Sequence, residues 1–317
     1  MTDYHTRNIN DSSIYEELQR YLSSGDLILF AGSGLSSQAC TKHGDHPPNW
    51  SNLLKKMADW CLDNGLIRNT YHIDIIELIE KGFLVDAGQE LEEIIEEISQ
   101  RQRCLAEAIL CNEAEISEAH NLIAGINFRA YLTTNYDEFI EGAFWHKHGK
   151  RLQKFYRPTI SGVLDSYRRK EPFIFKLHGD IGDPSSIILG NRSYEPLLQS
   201  DSDYKKCLET IFSMSSILFV GFGCTDPDFD RIINRVAALD GRTKRHWMLT
   251  TENSVPPLKA KRFWKDLGIN IIQYKSDEMH TEFVRFLRNL SAPHSSTSTV
   301  YRCDDYVSSE RERVNRI

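Results

Sequence analysis

Four stretches of this chain share one design: an apolar run that stops abruptly on glycine or on short polar side chains. They are LILFAGSGLSS at 27–37, AYLTTNYDEF at 130–139, FIFKLHGD at 173–180 and ILFVGFG at 217–223. A strand that is apolar on both faces is the mark of a central parallel strand, which needs helices above and below the sheet. In such α/β folds the polar strand tips converge on one crevice at the carboxyl edge. Two further strand-like runs, HWMLT from His246 and INIIQY from Ile269, extend the series, with helical segments at 226–239 and 257–267 between strands. Strands alternating with helices predict a Rossmann-like, doubly wound parallel sheet.

One part breaks the alternation. From Ser51 to about Gly125, LLKKMADWCL, IDIIELIEKGFL and LEEIIEEISQ carry apolar residues at helical spacing, and no convincing strand interrupts them. The expected organisation is an N-terminal helix within 1–25, a Rossmann-like domain from 26–50 and 126–290, a helical insertion at 51–125, and a linker or tail at 291–317. The acidic stretch from Glu77 to Glu97 has Lys81 as its one base and reads most simply as a solvated face, with a basic partner surface as the alternative.

Composition narrows the function. A chain of 317 residues with 40% hydrophobic residues has enough material for a sizeable core. Its net charge of −7 argues against gripping nucleic-acid phosphates as the main task. The seven cysteines are scattered singly, without a CxxC pair, so neither a zinc ribbon nor a disulfide framework is expected and a reduced cytosol fits best. The N-terminus lacks an apolar targeting segment and no stretch is long and apolar enough for a membrane span, so a soluble cytoplasmic protein is expected.

The strand tips carry the chemistry. Gly32-Ser33-Gly34-Leu35-Ser36 lets backbone N–H groups approach a pyrophosphate, although Ser37 stands where a GxGxxG fingerprint has its last glycine. A tight strand-to-helix turn explains the same residues equally well. In TTNYDEF the carboxamide of Asn135 can bond ribose hydroxyls or hold a water, while Asp137 can either touch a ligand or cap the next helix. His178, at the end of FIFKL and before Gly179-Asp180, offers an imidazole that accepts a proton near neutral pH. Asp180 orients that loop or forms a turn. Gly221 and Gly223 leave room for a nucleotide before Asp226 caps a helix; Asp226, Asp228 and Asp230 lack the glycine and distal glutamate of a calcium loop. Cys40, His43 and His46 have ligand-like spacing but lie in a loop of turn formers, so no metal is expected there.

FAGSGLS, a helical insert, TTNYDEFIE, KLHGD and LFVGFGCTDPDF, in this order over roughly residues 26–275, resemble the Sir2-like superfamily, and within it the bacterial Sir2-like NADases of antiphage defence. The resemblance implies that Ala31, Gly32, Ser33, Gly34 and Ser36 form a dinucleotide-binding loop. It implies that Thr134, Asn135 and Asp137 meet the ribose and nicotinamide, that Gly221 and Gly223 line the adenosine half, and that Asn135 and His178 are catalytic. The chain departs from the protein-deacylase branch: Thr134 replaces a Gln, Pro48-Asn49-Trp50 replaces an Asp-Phe-Arg element, and the four zinc-binding cysteines are absent. The expectation is therefore an NAD+ glycohydrolase with NAD as substrate and no metal. It would act as an abortive-infection effector, held in check by a regulatory or sensor partner or by homo-oligomerisation. An NAD-dependent deacylase or ADP-ribosyltransferase, or a non-catalytic subunit sensing NAD or ADP-ribose, are the alternatives.

Overall fold

The computed structural model describes residues 6–109, 114–194, 202–223 and 246–292. Its centre is an eight-stranded sheet in which every neighbouring pair is parallel. The strands are β1 (Thr6–Asn8), β2 (Leu27–Ala31), β5 (Tyr131–Thr133), β6 (Gln153–Phe155), β7 (Phe173–Lys176), β8 (Ser216–Val220), β9 (His246–Thr251) and β10 (Ile269–Tyr274). Their order is β1-β10-β9-β8-β2-β5-β7-β6. The chain leaves β2 toward β5 on one side and returns beside it as β8 on the other, so the winding reverses at β2. The α/β doubly wound architecture expected from the sequence is the one observed.

Alternation along the strands feeds two cores. Ile28, Phe30, Leu132, Phe173, Phe175, Ile217 and Phe219 point to one face, where Leu208 and Ile211 of a helix at Asp203–Met214 cover them. Leu27, Leu29, Tyr131, Ile174, Leu218 and Val220 point to the other, under α1 (Ser12–Ser24) and the helices Glu118–Gly125, Phe139–His148 and Thr281–Ser291. Asp11 caps α1, accepting from Ser13 N, and Gly25 ends it in the left-handed conformation that glycine adopts freely.

Two strands of this sheet lay outside the sequence expectation. β1 and β6 sit at the sheet edges and carry polar sequences, TRN and QKF. An edge strand need not be apolar on both faces, so its pattern is weak. The helical expectation for 226–239, with its cap at Asp226, lies outside the described residues, as do residues 293–317 of the expected tail.

After the β2 tip come a single helical turn, α2 (Ser33–Ser36), and a two-residue strand, β3 (Cys40–Thr41), then four helices: α3 (Trp50–Asp63), α4 (Asn69–Glu80), α5 (Leu84–Ile94) and α6 (Ile98–Ile109). β3 pairs antiparallel with β4 (Ala114–Glu115), so a strand does interrupt 51–125, one too short to leave a pattern. The period in LEEIIEEISQ is broken between α5 and α6, because the Arg101 guanidinium donates to the Glu92 and Ile95 carbonyls at the end of α5. A third core binds these helices together: Leu54, Met57, Cys61, Leu91 and Leu105, with Tyr136, Ile187 and Leu189 entering from strand-tip loops.

That joint leaves no spare room. A Cβ on Gly88 of α5 would stand 2.4 Å from the Leu189 carbonyl oxygen. We expect Gly88→Ala to push α5 off the 187–190 segment and destabilise the protein by about 1–3 kcal/mol, read as a lowered urea midpoint.

Candidate functional site

The tip of β2 is held by its two neighbours. Gly32 N donates to Val220 O and Gly34 N to Gly221 O, so the glycine loop lies directly on the end of β8. Both loops must be glycine there. A Cβ on Gly34 would fall 2.9 Å from Gly221 Cα, and Gly221, at φ +71°, would place one 2.4 Å from Leu35 N. Ser33–Ser36 then form a single short helical turn.

The tip of β5 is tied to the same loop. Thr133 Oγ1 donates to Ala31 O and accepts from Asn135 N. Asn135 Nδ2 donates to Gly32 O at 2.9 Å and to Ser36 Oγ at 2.7 Å, which uses both of its hydrogens and leaves Oδ1 as the acceptor. Ser36 Oγ in turn donates to Asp137 Oδ2. Asp137 Oδ1 accepts from Phe139 N, the first residue of the helix Phe139–His148, while the N-cap position itself is Glu138, so this carboxylate braces the helix start from one residue ahead of the cap and also holds Ser36.

β7 delivers the third tip through a buried lysine. Lys176 is fully buried; its Nζ donates to the carbonyls of Tyr136 and Asp137 and pairs with Asp180 Oδ2 at 2.7 Å and Glu141 Oε1 at 3.3 Å. Burial opposes the ammonium, yet Glu141, Asp180 and Asp137 carry its pKa above the ordinary lysine value. Asp180 also binds Lys154 at 2.8 Å. Burial works against its charge too, but Lys176 and Lys154 hold its pKa below the usual carboxylate range. Glu138, Glu141 and Asp180 bring carboxylate oxygens within 4.8 Å of one another, but the two lysine ammoniums already sit on them. Asp180 therefore orients the loop, and the cation it meets is lysine. Gly179, at φ +92°, packs so closely on the Ser186 carbonyl that a Cβ would overlap it, and this sharp turn follows His178 directly.

The tips open on two adjoining cavities. The smaller, about 50 Å³, is lined by Ser33, Ser36, Thr134, Asn135, Asp137 and His178, and is closed by Tyr136, Pro47, Pro48, Trp50, Leu53 and Ile109. The larger, about 730 Å³, shares Ser33, Pro47 and Pro48 with it and runs past Gly34, Gly221 and Gly223 to Thr250, Thr251 and Tyr274. Of the expected residues, Ala31 and Gly32 lie beneath these surfaces as framework and all the others line one cavity or the other. Cys40 is exposed and His46 Nδ1 meets Ala39 O. The β9 tip, Thr250-Thr251, was not among the expected site residues, although HWMLTT carries the same apolar-to-polar signal. Nor was the far wall contributed by the insert, which has no local signature.

An open parallel sheet whose glycine loops and polar tips meet at the reversal of strand order is the architecture of the nucleotide-binding α/β proteins. Residues 129–272 match the family model of the SIR2-like domain. It is 27% identical over 233 residues to the NAD(+) hydrolase ThsA of Bacillus cereus (strain MSX-D12), covering 72% of this chain and 44% of that protein. The protein of the same name from Cytobacillus dafuensis is 26% identical over 234 residues, 74% of this chain and 42% of its own length. Defense-associated sirtuin 2 of Bacillus subtilis is 22% identical over 277 residues, 84% and 25% of the two chains. The chain thus spans less than half the length of these relatives. A solved structure titled "Structural Basis for the Mechanism and Regulation of Sir2 Enzymes" aligns with 88% of this chain and 99% of its own at 12% identity and a TM-score of 0.37, too loose a likeness to carry detail. No helix among the described residues is long and apolar enough to cross a membrane.

Beneath Asp137, His120 is buried, its Nδ1 against Ser117 Oγ at 2.7 Å and its ring on Phe139. Burial pushes its pKa down to about 4, against a smaller opposing pull from Asp137. Between that value and the ordinary His pKa the unfolded chain binds the extra proton, so stability rises with pH from about 4 to 6.5 and is flat above. Asp180 acts in the same direction at lower pH, since its contribution is lost only as pH falls through its lowered pKa. We expect unfolding free energy to drop by about 3 kcal/mol between pH 7 and pH 4 on account of His120. His120→Gln should flatten that slope in urea titrations at several pH values.

Proposed function

We propose that the protein is an NAD+ glycohydrolase that releases nicotinamide and ADP-ribose, and that it serves as an abortive-infection effector against phage. One observation carries this reading: Asn135 and His178, from different strands, line one small chamber that adjoins a long glycine-walled cleft. The cleft suits the bulk of a dinucleotide and the chamber, at about 50 Å³, suits a water or two. The names of the relatives, NAD(+) hydrolase and defense-associated sirtuin, support the same reading.

The chemistry needs little more than these groups. The bond from ribose C1′ to the pyridinium nitrogen breaks with its electron pair going to nicotinamide, which leaves neutral, and the ribose becomes oxocarbenium-like. A water adds to C1′ and gives its proton to the His178 imidazole, directly or through a ribose hydroxyl. Asn135 Oδ1, the acceptor left over once Nδ2 is spent on Gly32 and Ser36, holds that water or hydroxyl. Thr134 lines the same chamber, Gly34, Gly221 and Gly223 admit the dinucleotide backbone, and Ser36 and Asp137 keep Asn135 in place. A regulatory partner or self-assembly would hold the activity off in healthy cytoplasm.

His178→Ala should lower nicotinamide release by about 10²- to 10⁴-fold, the usual worth of a positioned proton acceptor, with a melting temperature close to wild type, and Asn135→Ala should abolish it in a folded protein of lowered melting temperature, since Gly32 O and Ser36 Oγ lose their donor. Mass spectrometry of the products of NAD+ with wild type and each variant decides the matter. Wild-type turnover in either folded variant would sink the assignment, and dependence on an acylated peptide would favour deacylation.

A further inference from the structure

The wall of the larger cleft facing the glycine loops belongs to the insert, and its charge is out of keeping with the rest of the chain. Overall the protein carries 45 acidic residues against 38 Lys and Arg. Yet among the described residues lining the cleft there is no carboxylate, while Lys55 and Lys56 both line it. They lie on α3 with Asn49, which caps that helix, and Asn52: positions three and four apart that share one face. The opposite face, Leu53, Leu54, Met57 and Cys61, is buried in the insert core and fixes the helix in this orientation. Lys56 is exposed and has no ion pair among the described residues. Among the described residues Lys55 pairs only with Glu80, at 3.5 Å, with side chains 38% and 63% exposed. Such a pair is worth little and yields readily to a stronger anion.

We propose that Lys55 and Lys56 form the phosphate-binding wall of the cleft, closing on the pyrophosphate of the dinucleotide from the side opposite Gly34 and Gly221. The insert is then part of the substrate site and contributes binding, with the bond-breaking groups kept on the sheet. The proposal rests on the glycohydrolase reading for its substrate, and only for that. A cleft lined by one sign of charge concentrates an anionic ligand and makes its capture sensitive to salt. Neither lysine lines the smaller chamber that holds Asn135 and His178, so their effect falls on KM.

The test compares wild type, a K55A/K56A double variant and a K55R/K56R double variant. Nicotinamide release from NAD+ is measured at about 0.05 and 0.5 M salt, and ADP-ribose binding by calorimetry. For K55A/K56A we expect about a tenfold higher KM for NAD+, kcat within about twofold, ADP-ribose binding weakened in parallel and a flattened salt dependence; K55R/K56R restores all of these. Nicotinamide riboside, which has no pyrophosphate, should be handled alike by all three proteins. Unchanged KM and ADP-ribose affinity in K55A/K56A, or a fall in kcat alone, overturns the lysine wall while leaving the glycohydrolase intact. A wild type that binds ADP-ribose through these lysines but releases no nicotinamide overturns the glycohydrolase and leaves the wall standing.

Discussion

A single ammonium group, Lys176 Nζ, is the point on which the rest of the site hangs. It ends the apolar run of β7 with no access to solvent, and its desolvation is tolerable only because Asp180, Glu141 and two backbone carbonyls surround it. Those carbonyls belong to Tyr136 and Asp137, so the tip of β5 is fastened to the tip of β7. The β5 tip is fastened to β2 through Asn135 and Thr133, and β2 to β8 through Gly32 and Gly34. Removal of the lysine would leave Asp180 and Glu141 buried without their counter-ion and two loops without their tie. Removal of both partners would strand the lysine in turn. The chain therefore holds its reactive loops by an arrangement that is costly to alter at any one position.

Rigidity of this kind suits the proposed glycohydrolase reaction, whose cationic leaving group departs easily. Such a reaction asks mainly for placement of one acceptor and one water against one carbon. Asn135 is placed by spending its two donors on the protein itself, and His178 by the turn at Gly179 that pins its backbone beside Ser186 and Ile188. Neither side chain is stationed on a freely moving loop tip.

Six of the eight strands were legible in the sequence because they are buried on both faces and so written as unbroken apolar runs. β1 and β6 were not, because an edge position releases TRN and QKF from that demand. The break between α5 and α6 was hidden by an unbroken apolar period, and it depends on where one arginine guanidinium comes to rest. At the site, strand tips announced themselves by the switch from apolar to small polar residues, which is why Asn135 and His178 stood out. Lys176 did not, since a lysine inside FIFKL reads as an interruption until Glu141 and Asp180 are brought to it by the fold. The insert's share of the cleft was equally invisible: the helical period that reveals a buried face says nothing of what the opposite face looks upon.

Tyr136 lines the chamber beside Asn135 and Asp137, and it also packs in the core of the insert, where its hydroxyl donates to Ile188. One residue thus belongs both to the chamber wall and to the packing of the helical layer. The insert is thus no exchangeable cassette. A relative's helices grafted onto this sheet would bring a cavity shaped for a different anchor, and the reactive groups would be displaced by the mismatch. A substitution on either side of that tyrosine limits what the other side can accept.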